Sequence, residues 1–478
     1  MIATGNHYEV IVIGSGPAGQ NAAIEAARHG ARVLIVEREQ NVGGACVQYG
    51  TIPSKTLRET AVTLTAFRRR SGGVYEISHD SHLSISSLMT RLEEVVRAHH
   101  ATAKQCLTMA GVERASGKAC FVSPNEVRVT DVAGTDQIFS AEYIVVATGS
   151  RPRSPDDIAV DHENILDSDS ILSMTYLPQS LIVLGSGVIA CEYASTFAAL
   201  GVRVTMLDRY PAPMGFLDSD LIDVFLTRFS ASGGEFRGNC SVQSLVWDNV
   251  SSVKVRLQTG EILSADKALI AQGRVANLDS LNIASAGLKA SERGLLKVNE
   301  YCQTTVPHIF AVGDTIGPPA LASASMEQGR RAMCYALTGR IPPMSDLIPT
   351  GIYTIPEMAT VGLTEMEAIG LYGDVIVGKA EFSRLARAHI MAQSTGLLKL
   401  VADKSGEKLL GVQIAGDGAT ELVHLGQMAL LNQMSVDTFA TTVFNFPTLA
   451  EAYRMAALDV IRQRKNKPLT SRSAMLQV

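Results

Sequence analysis

At 478 residues the chain is too long for one core, and ordinary domain sizes divide it into three or four. A hydrophobic share of 46%, a charged share of 19%, a net charge of −5 and a pI near 6.1 exclude the basic footprint of a nucleic-acid binder. No run approaches the ~20 uninterrupted apolar residues of a membrane span, since the most apolar candidate, SLIVLGSGVIACEYASTFAALG, is broken by glycines and Glu192.

The opening MIATGNHYEVIVIG lacks a basic region ahead of its apolar run, so it predicts a first strand rather than a signal peptide. YEVIVIGSGPAGQNAAIEAARHGARVLIVER, residues 8–38, predicts strand, glycine turn, helix and second strand. Gly14 permits the tight turn and Gly16 lets the backbone approach a pyrophosphate. Gly19 lets helix and strand pack closely, and the helix N-terminus attracts phosphate charge. Glu37 closes the second strand, where its carboxylate can accept hydrogen bonds from a ribose. The pattern returns in SLIVLGSGVIACEYASTFAALGVRVTMLDR, residues 180–209, with Gly185, Gly187 and Ala190. Asp208 lies 23 residues beyond Gly185, as Glu37 lies 23 beyond Gly14. One such fingerprint is a weak signal; two complete units with matching acids are a strong one.

EYIVVATGSRP, residues 142–152, is a buried strand before the second fold, and HIFAVGDTIG, residues 308–317, a similar strand after it. The simplest topology is a first domain interrupted by the second and then resumed. Asp314 then sits at a strand's C-terminal end, where ligands of open α/β sheets lie and where it can bind a polyol chain. From about Ile348 strand-like and helical patterns alternate without a glycine fingerprint, which predicts a separate α+β interface unit. The last stretch, RQRKNKPLTSRSAMLQV, predicts a solvated tail. Seven cysteines at 46, 106, 120, 191, 240, 302 and 334 show no CxxC spacing, so no disulfide framework or metal site is expected. That usage favours a reducing cytoplasm.

The interrupted arrangement, with GGACVQYGTIPSKT at residues 43–56 and a Gly–Asp strand after the second fold, resembles the pyridine-nucleotide disulfide oxidoreductase family over residues 8–460. GTIPSK, DSDSILSM, LIPTGIYTIPE and FNFPTLAEAYR are most similar to its soluble transhydrogenase branch. The resemblance implies an α/β fold of two nested Rossmann-like dinucleotide-binding domains plus a C-terminal α+β dimerisation domain. The expected boundaries are 1–152 with 275–345 for FAD, 153–274 for NAD(P), and 346–478 for the interface, with a mobile tail from about 464. It implies a cytoplasmic homodimer with nicotinamide nucleotides as its partners and no nucleic acid or membrane. It assigns FAD to Gly14, Ser15, Gly16, Gly19, Glu37, Arg38, Gly43, Gly44, Cys46, Thr51, Lys55, Thr148, Gly149 and Asp314. NAD(H) and NADP(H) fall to Gly185, Gly187, Ile189, Glu192, Asp208, Arg209, Gly273 and Arg274.

Dithiol members carry a second cysteine five positions after the first, facing the flavin. Here that position is Thr51. They also carry a histidine before Pro-Thr near the C-terminus; here Phe446 stands there and Glu451 is kept. A disulfide reductase needs two sulfurs in reach and a base for the exchanging thiol, so dithiol chemistry is expected to be lost. Cys46 alone is either a small packed thiol or a sulfenic-acid centre, and without a base or resolving partner the packed thiol is favoured. The resemblance pairs Lys55 with Glu192 to tune the flavin; the alternative is two unrelated surface charges.

Without sulfur to receive them, electrons must leave as they came. The resemblance places the nicotinamide against one face of the flavin. The expected course is that NADPH reduces FAD and departs and NAD⁺ then enters the same pocket and takes the hydride, a ping-pong transhydrogenation needing no acid, base or nucleophile. Asp208 fits a free ribose 2′-hydroxyl and repels a 2′-phosphate. The transhydrogenase pattern has an uncharged residue there, with arginines two and four places on, where this chain has Tyr210 and Ala212. Two other readings share the motifs: an NADH-preferring diaphorase or quinone reductase, and a catalytically idle flavoprotein serving as redox sensor or subunit.

Overall fold

The computed structural model describes residues 6–70, 85–155, 157–340 and 346–466. The chain divides into two compact units, one of residues 1–57, 81–177 and 270–344, the other of 58–80, 178–269 and 345–478.

The first unit is built on a seven-stranded sheet. The strand β1 (His7–Ile13) leads through helix α1 (Pro17–Arg28) to β2 (Val33–Glu37), and β1 pairs in parallel with both β2 and the strand Asp136–Val146. Both faces of this layer are covered, so VIVI and VLIV read as unbroken apolar runs, with Val10, Ile11, Val12, Val33, Leu34, Ile35 and Val36 all buried. The strand Ile309–Ala311 pairs in parallel with Asp136–Val146. The register sets Ile13 beside Val146 and Val146 beside Ala311, so three strands end at one level. Gly14, Ala147 and Gly313 leave from that edge.

In the second unit the strands Gly234–Arg237, Arg203–Leu207, Ser180–Leu184 and Lys267–Ile270 are neighbours in that order. A three-stranded antiparallel sheet, Val242–Trp247 to Ala265, follows the helix Ser219–Ala231. The C-terminal part is a five-stranded antiparallel sheet in the order Thr350–Ile352, Met358–Gly362, Leu409–Ala415, Leu397–Asp403, Val375–Glu381. The helix Glu451–Asn466 crosses it where Gly378 has no side chain, since a Cβ there would stand 2.1 Å from the Ala456 carbonyl oxygen. That helix runs to Asn466, and residues 467–478, most of the expected tail, lie outside the described part. Among the described residues no helix is long and apolar enough to cross a membrane.

Candidate functional site

The first fingerprint folds as its glycines dictate. Gly14 has φ +102°, and a Cβ there would stand 2.4 Å from the Ala147 carbonyl oxygen; one on Gly19 would stand 1.9 Å from that of Gly14. Gly16, by contrast, faces open space. It caps α1 with no side-chain hydrogen bond, Pro17 follows at the first helical position, and no acid stands in the first turn. The N–H groups of that turn are left for an anion. The open cradle, bare helix end and neighbouring carboxylate fit the pyrophosphate and ribose of a dinucleotide.

The carboxylate is Glu37. The Ser15 backbone N–H and hydroxyl both donate to its Oε2, at 2.9 and 2.5 Å, and Glu39 N–H donates to Oε1 at 3.0 Å. Arg38 pairs with Glu39 at 3.3 Å. The second fold repeats the device: Ser186 Oγ donates to Asp208 Oδ2 at 2.7 Å and Tyr210 N–H donates to Oδ1 at 3.1 Å. Gly187 caps the helix Val188–Ala199, again with open space above it and no first-turn acid. Ile189 is on that first turn. Arg209 is exposed, and its guanidinium lies over the exposed Tyr210 ring at 5.0 Å and donates to that phenol at 3.1 Å. Sequence reasoning missed the role of Ser186, although the signal was there: both fingerprints read G-S-G.

The sulfur-bearing loop is tied to the first fingerprint. Gly43 N–H donates to Ser15 O and Ser15 Oγ, both at 3.1 Å. A Cβ on Gly44, at φ +60°, would come within 2.7 Å of Gly16 Cα. The short helix α2 (Gly44–Gln48) then carries Cys46, and α3 (Thr51–Arg70) begins with Thr51 and carries Lys55. Burial pushes the Cys46 thiol above its ordinary value; a Thr51 hydrogen bond and the Lys55 charge pull it down, and Asp314 pushes it up. Cys46, Thr51, Lys55 and Asp314 therefore form one electrostatic neighbourhood. Lys55 Nζ lies 3.4 Å from Ser54 Oγ. All seven cysteines are free thiols.

Behind Asp314 stands a network the sequence did not reveal. Ser150 Oγ donates to Asp314 Oδ2 at 2.5 Å and accepts from Arg274 Nε at 2.8 Å. Arg274 also donates to Ser150 O at 2.9 Å and Ser168 Oγ at 3.3 Å, and pairs with Asp169 at 3.6 Å. Burial raises the Asp169 carboxyl, against the pull of Arg274. The antiparallel pairing of Arg274–Ala276 with Ser150–Pro152 makes this contact, which is invisible in a linear reading. Arg274, expected at the nicotinamide nucleotide, thus spends several donors inside the protein. Gly273, at φ +108°, accepts from Arg153 N–H at 3.0 Å. Thr148 Oγ1 donates to Asn277 O at 2.8 Å, and Gly149 O accepts from Asn277 N–H at 2.9 Å.

Glu192 is buried on its helix, and its Oε1 accepts from Tyr353 N–H at 2.8 Å. One turn on, Ser195 Oγ accepts from Ile355 N–H at 3.1 Å, so this helix seats the segment Tyr353–Ile355. Phe446 is 70% exposed and Glu451 opens the last helix.

The family model described as pyridine nucleotide-disulphide oxidoreductase matches residues 8–329, and its dimerisation-domain model matches 348–457. The soluble pyridine nucleotide transhydrogenase of Yersinia enterocolitica is 39% identical over 461 residues, covering 95% of this chain and 98% of its own. That of Vibrio vulnificus is 39% identical over 470 residues, covering 96% and 99%. Among solved structures, the HOCl-induced flavoprotein disulfide reductase RclA of Escherichia coli superposes with a TM-score of 0.85 at 25% identity, over 94% of this chain and 99% of its own. LpdA of Mycobacterium tuberculosis gives 0.85 at 27% identity, over 94% and 99%.

Proposed function

The chain belongs to the pyridine nucleotide-disulphide oxidoreductase family, and from that premise we propose that this flavin oxidoreductase is a transhydrogenase, catalysing NADPH + NAD⁺ → NADP⁺ + NADH. The observation that carries the reading is the partner of Cys46: Thr51, whose hydroxyl hydrogen-bonds the thiol, occupies the position where a second sulfur would be needed. A hydroxyl has no comparable redox chemistry, and a thiol raised by burial is poorly nucleophilic. Bound FAD would supply reversible two-electron hydride transfer, which lets one nicotinamide nucleotide be the donor and another the acceptor.

The protein's own work is binding and orientation. The turn at Gly14–Gly19 and the bare end of α1 receive the pyrophosphate of FAD; Ser15 aims Glu37 at its ribose. Asp314, aimed by Ser150, receives the ribityl chain. Gly185, Gly187 and the end of helix Val188–Ala199 receive the nicotinamide nucleotide, with Asp208 at its ribose. Lys55, whose charge acts on the Cys46 thiol beside Thr51 and Asp314, tunes the flavin. The chain works as a homodimer through residues 348–457, where Leu425, Met428 and Leu431 leave an apolar stripe exposed on helix Ala419–Leu431. In support, the two 39% identical relatives are named as soluble transhydrogenases.

The test is an anaerobic titration. NADPH should bleach the flavin absorbance of the holoenzyme and NAD⁺ alone should restore it; a flavin that stays reduced after NAD⁺ sinks the reading. Asp208, held by Ser186, and Arg209, engaged by Tyr210, favour one second reading, an NADH-driven diaphorase. Turnover of NADPH with thio-NAD⁺, without quinone, separates the two.

A further inference from the structure

Three side chains with different metal-binding donors meet on the outer layer of the first unit. Glu25 and His29 stand one turn apart on α1 and at its C-terminal cap, and Cys334 lies on the helix Ala322–Thr338. The carboxylate, imidazole and thiol donor atoms all lie within 4.8 Å of one another. His29 Nε2 is 3.5 Å from Glu25 Oε1. Tetrahedral zinc with N, O and S ligands needs donor separations of roughly 3.3–3.8 Å, given its bond lengths, so the set closes with side-chain movements of about an ångström.

The meeting is enforced by backbone packing. Gly329 sits against α1 so closely that a Cβ would stand 2.1 Å from the Ala18 carbonyl oxygen and 3.1 Å from Ala22 N. Ala22, Ala26 and Ala332 are fully buried in the same seam. Farther along both helices this spacing places Cys334 over the Glu25–His29 turn. Donors on two rigid, closely packed helices are better preorganised than donors on loops.

Charge is compatible. Arg330 hydrogen-bonds Glu327 at 2.6 and 2.8 Å and stands 3.9 Å from Glu25; Arg28, largely exposed, stands 3.6 Å from it. With Cys334 as thiolate, three negative groups (Glu25, Glu327, Cys334) face two positive ones (Arg28, Arg330), leaving a net −1 before an ion enters.

We propose that Glu25, His29 and Cys334 form a three-ligand site for a borderline divalent cation of the zinc class, open to water at the fourth position. Mixed carboxylate, imidazole and thiolate ligation selects Zn²⁺ and Co²⁺ over Mg²⁺ and Ca²⁺, which prefer oxygen alone. The bound ion joins the C-terminal end of α1 to the helix Ala322–Thr338. Ligation needs a thiolate and a neutral imidazole, so uptake releases protons and strengthens with pH.

The test uses the holoenzyme, metal-stripped by dialysis against chelator, titrated with Co²⁺ and read as a difference spectrum. One equivalent per chain should produce a thiolate-to-cobalt charge-transfer band, and Zn²⁺ should displace the Co²⁺. Cys334→Ser should abolish the band, and His29→Ala should weaken binding at least ~10-fold. Cys106→Ser, an exposed thiol elsewhere, should change neither. Absence of stoichiometric binding, or a band that survives Cys334→Ser or His29→Ala undiminished, overturns the site.

Discussion

Ser186 Oγ donates a 2.7 Å hydrogen bond to Asp208 Oδ2, the counterpart of the 2.5 Å bond from Ser15 Oγ to Glu37 Oε2. In each nucleotide fold the residue between the first two glycines thus aims the acid at the end of the next strand. Each serine is buried, at 4% and 0% exposure, so its hydroxyl has few alternatives. The acid is presented in one orientation, which suits a diol and opposes a phosphate.

Asp208→Asn should therefore shift the NADPH/NADH ratio of kcat/KM upward by about tenfold, the equivalent of ~1.4 kcal/mol in transition-state binding. Steady-state kinetics with each donor measures it. An unchanged ratio would mean that the carboxylate does not meet the nucleotide's ribose. Tyr210→Ala, which frees Arg209 from its ring and phenol contacts, should move the ratio in the same direction.

Thr51→Cys tests whether a missing sulfur is what removes dithiol chemistry. The new thiol should pair with Cys46, so a thiol titration under denaturing conditions should count two more thiols after reduction than before. Reductase turnover with a disulfide substrate should stay absent, because no base stands in the place of Phe446. Turnover from the single substitution would show that the C-terminal residue is unnecessary.

Ser150 is 8% exposed and bridges Arg274 to Asp314. Ser150→Ala leaves a partly buried guanidinium N–H and a partly buried carboxylate each short of a partner, at a cost of ~1 kcal/mol. The urea midpoint for flavin release should fall accordingly, while Ser150→Thr should recover most of it. A midpoint unchanged in Ser150→Ala would remove the network from the account.

Lys399 is 1% exposed, with its ammonium 2.6, 2.7 and 3.1 Å from Glu365, Asp220 and Asp218. Burial opposes its charge, but hydrogen bonds to Asp220 and Glu365 together with Asp218 push it up to about 12. The folded pKa lies above the ordinary lysine value, so the stabilisation, about 2 kcal/mol at 1.36 kcal/mol per unit, is complete below pH ~10.5 and lost as pH rises through ~12. Lys399→Met should cost ~3 kcal/mol at neutral pH, because it strands the buried Asp218 carboxylate, whereas Asp220 keeps Lys379 and Glu365 is partly exposed. Equilibrium unfolding against pH checks both; a flat profile for the wild type between pH 10 and 12 would contradict the linkage.

The residues show where a linear reading succeeds. Gly14, Gly16, Gly19 and Glu37, and again Gly185, Gly187 and Asp208, belong to strand–turn–helix–strand units whose geometry is set within some thirty residues. Local sterics dictate such units, so spacing alone revealed them, and the Thr51 and Phe446 substitutions were equally plain because they sit inside recognisable wording. What the chain alone left undecided depends on contacts between distant segments. The bond from Ser150 to Asp314 spans 164 residues, that from Arg274 to Ser150 spans 124, and Lys399 gathers acids from Asp218 to Glu365. Cys334 meets Glu25 and His29 only because Gly329 lets two helices touch backbone to backbone. Hydrogen bonds, ion pairs and ligand clusters of that kind are short-range in space and unconstrained in sequence, so only the folded chain selects them.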